Sequence, residues 1–330
     1  MKSKKLMGTL GVVFLFLIIA FFTEKREEKA EEIPVVGVLQ YVSHPALDEI
    51  YNGIQEGLKE SGFVDGENIK IIFQNGQADQ SKLTTMSQQL IQKNSEVLIG
   101  IATPAAQALA NSTSEIPIVL GAITDPVSAG LVETNEKPGG NITGVSDKSP
   151  VDSQLDLAVS LLPKAKSVGI LYSSAEENSK YQAAEAKEAA QGLGLTVKEY
   201  VVPSSNEIAQ TVQVMSSEID FIYIPTDNTI ANAMQTVVNE ANKMNTPIIP
   251  SVDTMVSEGG LATVGINQFD LGVQTGKMAA DIISGKSDPA TTPIYTFNTG
   301  DIIINEVQAK KLGVTIPEAV LKEAKLVGEE

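Results

Sequence analysis

The chain reads as an α/β protein made of two doubly wound parallel-sheet domains joined by a hinge. Three observations predict this. Short apolar runs recur at 35–39, 97–101, 116–120, 167–171, 220–224 and 247–250. They alternate with amphipathic stretches of helical period, the pattern of buried parallel strands covered by helices. Each run also ends in polar or turn-forming residues, and in open parallel sheets ligands bind outside the carboxyl ends of the strands. Two sets of such ends imply two sheets facing one cleft.

The elements follow in order. After the first strand, residues 46–61 place Leu47, Ile50, Tyr51, Ile54 and Leu58 on one helical face, and Gly62 ends the helix. A strand at 69–73 precedes a helix carrying Leu83, Met86, Leu90 and Ile91. Beyond the strand at 97–101, Thr103-Pro104 opens a helix, with Thr103 as its cap and Pro in the first turn. Pro138-Gly139-Gly140-Asn141 forms a turn before a strand at 142–145. Residues 146–153 form the first crossing between domains. The alternation restarts with helix 154–162, strand 167–171, helix 179–193, strand 196–202, helix 207–217, strand 220–224, helix 229–243 and strand 247–250. A strand at 261–266 ends at Asn267, and a helix at 269–284 returns to the first domain. Residues 294–297 and 302–304 are extended, and a last helix begins near Asn305. The expected domains are 33–147 with 268–296, and 148–267 with 297–330, after an amino-terminal segment at 1–32.

A chain of 330 residues accommodates two such domains, and 42% hydrophobic content is that of a globular protein. A formal net charge of −17 argues against nucleic acid as a partner, because neutralising phosphates takes clustered Lys and Arg. There is no Cys, no Trp, one His (His44) and one Arg (Arg26). These absences exclude disulfides, thiolate metal sites and His-rich metal sites, and no cofactor fingerprint is present. Arg26 precedes the folded region, so an anionic ligand group must be met by backbone N–H groups, hydroxyls or Lys. At the amino terminus, Lys2, Lys4 and Lys5 precede an apolar stretch at 6–22 without a small-x-small cleavage site. This predicts an uncleaved membrane anchor over a cleaved signal, with the body outside the cytoplasm. Residues 24–32, dense in Lys and Glu, read as a solvated tether.

Five motifs in order carry a family resemblance. They are Ile101-Ala102-Thr103-Pro104-Ala105-Ala106-Gln107, Thr124-Asp125-Pro126-Val127-Ser128-Ala129-Gly130-Leu131, Pro138-Gly139-Gly140-Asn141-Ile142-Thr143-Gly144, Pro225-Thr226-Asp227-Asn228 and Phe297-Asn298-Thr299-Gly300-Asp301. Together the chain resembles the solute-binding components of ABC importers with the type I periplasmic-binding-protein-like fold. Within these it is similar to the tryptophan/tyrosine-type, aromatic amino acid binding subfamily, over about residues 33 to 320. Many members carry a lipid-modified Cys that this chain lacks, which favours the anchor.

Thr103 and Thr124 each end a first-domain strand where a helix should start, supplying free N–H groups and positive partial charge. Without a usable Arg, these ends are the natural seat of a ligand carboxylate; the alternative is that both Thr residues only cap helices. Asp125, before Pro126, is either a ligand contact or a turn former. Asp227 and Asp253 end second-domain strands, where either can accept from an ammonium, while Asp227 equally suits a helix cap. The resemblance favours both, with Asn267 nearby, and adds Ala105, Thr226 and Asn228 from its motifs. Tyr41 offers a ring to an aromatic ligand. His44 either donates to ligand or caps the helix starting at Pro45. Ser146, Asp147, Tyr172 and Asn178 line the hinge side.

The leading expectation is a binding protein without chemistry of its own. It closes on a free L-amino acid, aromatic by resemblance, and delivers it to a permease served by ATPase subunits. Other readings are an anchored sensor domain, a binder of an aliphatic amino acid, sugar or nucleoside, and an enzyme using Asp227 and Asp253 as an acid–base pair. No nucleophile motif, metal set or nucleotide loop supports the enzyme.

Overall fold

The structure, a computed structural model, describes residues 33–297 and 299–328. Strands β1 (Val35–Gln40), β2 (Lys70–Asn75), β3 (Val97–Ile101), β4 (Ile118–Gly121) and β5 (Ile142–Ser146) build most of one sheet. Strands β6 (Ser167–Ser173), β7 (Thr196–Val202), β8 (Phe221–Ile224) and β9 (Ile248–Pro250) build a second, in the order β7-β6-β8-β9. The next strand, β10 (Ala262–Gly265), begins a small third sheet. The chain then returns to the first sheet with β11 (Tyr295–Thr296), giving the order β11-β5-β4-β3-β1-β2. Strands β12 (Asp301–Asn305) and β13 (Lys325–Val327) complete the third sheet, β10-β12-β13.

Every pairing in the two larger sheets is parallel. The orders β2-β1-β3-β4 and β7-β6-β8-β9 are the same winding, so each sheet reverses direction beside its own first strand. That switch point opens a crevice at the strand carboxyl ends. The apolar runs are continuous because the strands are covered on both faces: β3, β4 and β8 are buried at every residue. Edge strands β2 and β7 are partly exposed instead. In the first sheet the strand ends are flush. Tyr41 N donates to Ile101 O (3.2 Å), Ala102 N to Gly121 O (3.2 Å) and Ile123 N to Val145 O (3.2 Å), so the following loops form one rim.

The chain passes between the sheets after β5, after β10 and between β11 and β12. The first passage leads into helix Val151–Leu161, whose Gln154 amide donates to Ser251 O (3.0 Å) and Val264 O (2.8 Å) and accepts from Tyr223 Oη (2.7 Å). The second leads into helix Gln268–Ile283, which packs on helix Pro45–Glu60. Their contact is made by Gly53 and Gly57 on one helix and Gly272 and Gly276 on the other. A Cβ on Gly53 would run into Phe269 O, and one on Gly272 into Ile50 O. Only α-carbons that carry no Cβ allow the two backbones to approach this closely.

Several expectations need correction. The helix expected at 229–243 is two, Asn228–Asn232 and Met234–Lys243, separated at Ala233. The first is held at its start by carboxylates, whereas the second follows its own buried stripe of Val237, Val238 and Ala241. Helices Asp253–Ser257 and Glu318–Leu321 were not expected, nor was the third sheet, in which β10 and β12 run antiparallel. Apolar runs announce strands but not their direction. Finally, no helix follows Thr124. Residues 125–131 form turns instead, with Ala129 N donating to Asp125 O (3.0 Å) and Gly130 N to Val127 O (3.0 Å).

Candidate functional site

The loops beyond β1, β3, β4 and β5 meet those beyond β6, β8 and β9 around a narrow closed cavity of about 20 Å3. On the first-sheet side its wall is His44, Ala46, Leu47, Ala102, Thr103, Ala122, Thr124 and Asp147. Asn178, Thr226, Asp227, Asn228, Ala231 and Val252 face them, and Gln268 stands at the returning helix.

Two wall residues carry backbone strain. Ala102 has φ +74° and ψ 153°, a region other residues leave to Gly, and Ala122 has φ +61°. Both sit where a strand ends at the cavity, and a methyl is the largest side chain that leaves the space open. Ala102 is the cap position of helix Thr103–Ala110, so Thr103 is the first helical residue and not the cap that the sequence predicts. Pro104 lacks an N–H, and the early N–H groups of Thr103 and Ala105 remain as donors at the helix start.

The opposite wall is held by two carboxylates. Asp227 caps helix Asn228–Asn232: Oδ1 accepts from Ile230 N (2.8 Å) and Oδ2 from Ser173 N (2.6 Å). Burial, and then the nearby Glu176 charge, push its pKa up to about 7. Glu176 is fully buried beyond β6. Its Oε1 accepts from Thr229 N (2.8 Å) and Oγ1 (2.8 Å), and its Oε2 from Asn228 N (3.2 Å) and Nδ2 (2.5 Å). Across the cleft, His44 Nε2 lies 3.1 Å from Asn228 Oδ1, and burial lowers the imidazole pKa, keeping the ring neutral. Asp147 is 9% exposed, and burial raises its pKa to about 6 against the Thr124 hydroxyl beside it. Its Oδ1 and the Oδ1 of Asn178 are buried without a hydrogen-bond partner. Both residues belong to the cavity wall. No group of acidic or His side chains able to hold a metal ion occurs among the described residues.

Of the residues singled out from sequence, His44, Thr103, Thr124, Asp147, Thr226, Asp227 and Asn228 come together in this wall, as does Asn178. The others do not. Ala105 is wholly buried core, and Ser146 donates its hydroxyl to Thr124 O (3.1 Å) behind the wall. Asp125 accepts from Ser128 N (2.7 Å), the turn-forming role. Asn267 caps helix Gln268–Ile283 through Asp270 N (2.9 Å). Asp253 begins a short helix, accepts from Thr254 N (2.8 Å) and is not part of the cavity wall. Tyr41 is buried against Ala78 O (3.5 Å), with burial and neighbouring Glu176 and Asp227 raising its pKa to about 12. Tyr172 donates its hydroxyl to Glu199 Oε1 (3.2 Å) on the neighbouring strand β7 and is not part of the cavity wall. His44 occupies the cap position of its helix, but its ring makes no cap bond. Sequence reasoning missed Glu176, Gln268 and the small wall residues. Acidic side chains are usually exposed, so nothing in Ala175-Glu176-Glu177-Asn178 marks Glu176 as buried.

A twin-sheet fold with its polar strand ends gathered into one cavity is the architecture of the type I periplasmic-binding-protein class. The chain belongs to the family described as ABC transporter substrate binding protein, which it matches over residues 35–327. Such components act outside the cytoplasm, together with a permease. The chain is 38% identical over 289 residues to a tyrosine-binding protein of Clostridioides difficile (strain R20291), covering 88% of this chain and 84% of that one. Among solved structures it is similar to the ABC domain in complex with L-Trp from Streptococcus pneumonia (52% identity, 89% of this chain and 99% of that, TM-score 0.87). It is also similar to the ligand-free, open structure of a substrate binding protein with adhesive properties from Clostridium difficile (39% identity, 90% and 100%, TM-score 0.70).

Proposed function

We propose that the cavity binds a free L-amino acid with an aromatic side chain, tryptophan first and tyrosine or phenylalanine besides. One observation carries the reading: two buried acceptor oxygens without partners, Asp147 Oδ1 and Asn178 Oδ1, share a cavity with the start of helix Thr103–Ala110. Unpaired buried acceptors cost free energy until a donor arrives, and an ammonium is the donor that satisfies several at once. The helix start receives the carboxylate. Ala46, Leu47, Ala102, Ala122, Ala231 and Val252 form the apolar part of the wall, the surface a ring packs against once the lobes part to admit it. The names of the similar proteins support the ligand class. The amine acceptor in this reading is Asp147, in place of Asp227 and Asp253: both oxygens of Asp227 already accept backbone N–H groups, and Asp253 is not part of the wall.

In the same reading, residues 33–147 with 268–296 and 148–267 with 297–330 are lobes that close on the ligand, which contacts both only when closed. The closed form docks on a permease with its ATPase subunits, and the protein turns nothing over. The apolar stretch at 6–22, outside the described residues, anchors it to the membrane; no helix among the described residues is long and apolar enough to cross one. Because the chain has no Trp, L-tryptophan binding is followed by the ligand's own fluorescence without background. Saturable spectral change and calorimetric heat with L-Trp, L-Tyr or L-Phe, and none with L-Leu, a hexose or a nucleoside, is the expected result. Silence with all three aromatic amino acids would sink the ligand assignment.

A further inference from the structure

Glu176 makes no contact with the cavity, yet the polarity of three wall side chains follows from it. We infer that Glu176 is a positioning residue that orients Asn178, Asn228 and His44 so that the cavity selects an amine-bearing ligand. Both its oxygens are committed as acceptors by backbone groups that cannot reverse: Thr229 N to Oε1 and Asn228 N to Oε2. Side-chain groups reaching the same oxygens must therefore arrive as donors. Asn228 does so with Nδ2 (2.5 Å), and Asn178 Nδ2 lies 3.5 Å from Oε2. Asn178 Nδ2 also donates to Thr226 O (2.9 Å), a carbonyl that accepts only, so the amide is oriented twice over.

The two amide oxygens are consequently turned away from Glu176. Asn178 Oδ1 is left without a protein partner at the cavity wall. Asn228 Oδ1 meets His44 Nε2 at 3.1 Å, which requires the neutral ring to carry its proton on Nε2 and leaves Nδ1 as a lone pair. An amide's two ends are otherwise interchangeable in shape; the buried Glu176 carboxylate makes one orientation compulsory for Asn228, and for Asn178 it reinforces the orientation that Thr226 O sets. With Asp147 Oδ1 added, the unpartnered buried side-chain atoms of this wall are acceptors, the complement of an ammonium. The effect on ligand choice rests on the amino acid reading of the cavity; the tautomer of His44 does not.

The experiment has two arms. His44 is the only histidine in the chain, so tag-free 15N-labelled protein yields one imidazole signal set without assignment. Ligand-free wild type at pH 7 is expected to show the Nε2–H tautomer, and Glu176→Gln, which can donate as well as accept, to show a mixed or Nδ1–H ring. A wild-type Nδ1–H tautomer, or no change in E176Q, overturns the inference, and the wild-type measurement needs no variant to fold. In the second arm, calorimetry compares L-tryptophan with its des-amino analogue, indole-3-propionate. The preference for L-tryptophan should fall at least tenfold in E176Q and be largely kept in Glu176→Asp. Equal preference in wild type and E176Q refutes the positioning role while leaving the amino acid reading intact. If wild type binds no aromatic amino acid, that reading fails, and the tautomer arm still judges Glu176.

Discussion

Asp147 shows how a single side chain is assigned by what it lacks. Replacing it by Asn removes the charge facing the ammonium while keeping its shape, so L-tryptophan should bind about 10–100-fold more weakly, corresponding to about 1.5–3 kcal/mol for a charged hydrogen bond. Titration calorimetry measures this, and unchanged affinity would move the amine elsewhere. The same residue sets a pH dependence. With its pKa raised to about 6 in the free site, only the carboxylate form attracts the amine. Affinity should therefore be flat above about pH 7 and fall as pH drops through 6, and D147N should flatten that profile. For stability the sign is opposite. Asp147 in the folded protein holds its proton up to about pH 6 while the unfolded chain releases it near 3.8. Wild-type stability without ligand thus declines relative to D147N as pH rises from about 4 to 6, which urea midpoints at both ends will read. Strain gives a further prediction. Ala102→Gly should stabilise the fold by about 1 kcal/mol, because relief of a backbone conformation costing about 1–3 kcal/mol exceeds the added chain entropy of about 0.5–1. Asp147, Asp227 and Asn228 were legible from their places after strands. Glu176 and Ala102 were not, because burial of an acid and a positive φ at Ala depend on neighbours distant in sequence.

Among the elements, helices Pro45–Glu60 and Gln268–Ile283 matter most, since the second carries Gln268 to the cavity and returns the chain to the first sheet. Their glycines make a prediction whose sign is diagnostic. Ala is the better helix former by about 1 kcal/mol, so Gly→Ala in an open helical position stabilises. Gly192, at the end of helix Glu177–Gly192 with nothing near its would-be Cβ, should gain in this way. Gly272→Ala should instead lose about 1–3 kcal/mol, as an added methyl overlaps Ile50 O across the interface. Thermal unfolding of the two variants compares them directly. The periodicity of both helices was readable in sequence, including the return at 269–284. Their interlock was not, because a glycine spaced four residues from another is equally a weak helix until its partner is known. Thr124 marks the same limit. A polar strand end looks alike whether a helix or a turn follows, and the Asp125 turn decided it.

For the molecule as a whole, the two cavity walls already touch. His44 bonds Asn228, and Gln80 Nε2 donates to Ala175 O at 3.0 Å outside the cavity. A ligand that bridges the same walls adds to these contacts only in the closed arrangement, so L-tryptophan should compact the protein, as read by the radius of gyration in X-ray scattering. At a free concentration about 100 times its Kd, the ligand should also raise unfolding stability by about 2.7 kcal/mol, seen as an upward shift of Tm. Neither change should appear with L-leucine.

Local chemistry in the sequence determined the alternation of strands and helices, the two-sheet class, the cleft at the strand ends and the absence of an Arg clamp. These depend on residue types and their spacing along the chain. Tertiary structure alone decided which strand ends face the cavity, which acids are buried, and which buried oxygens lack a partner. Those properties are relations between residues far apart in sequence: Glu176 with Asn228, Asp147 with Thr124, His44 with a wall contributed by the opposite sheet.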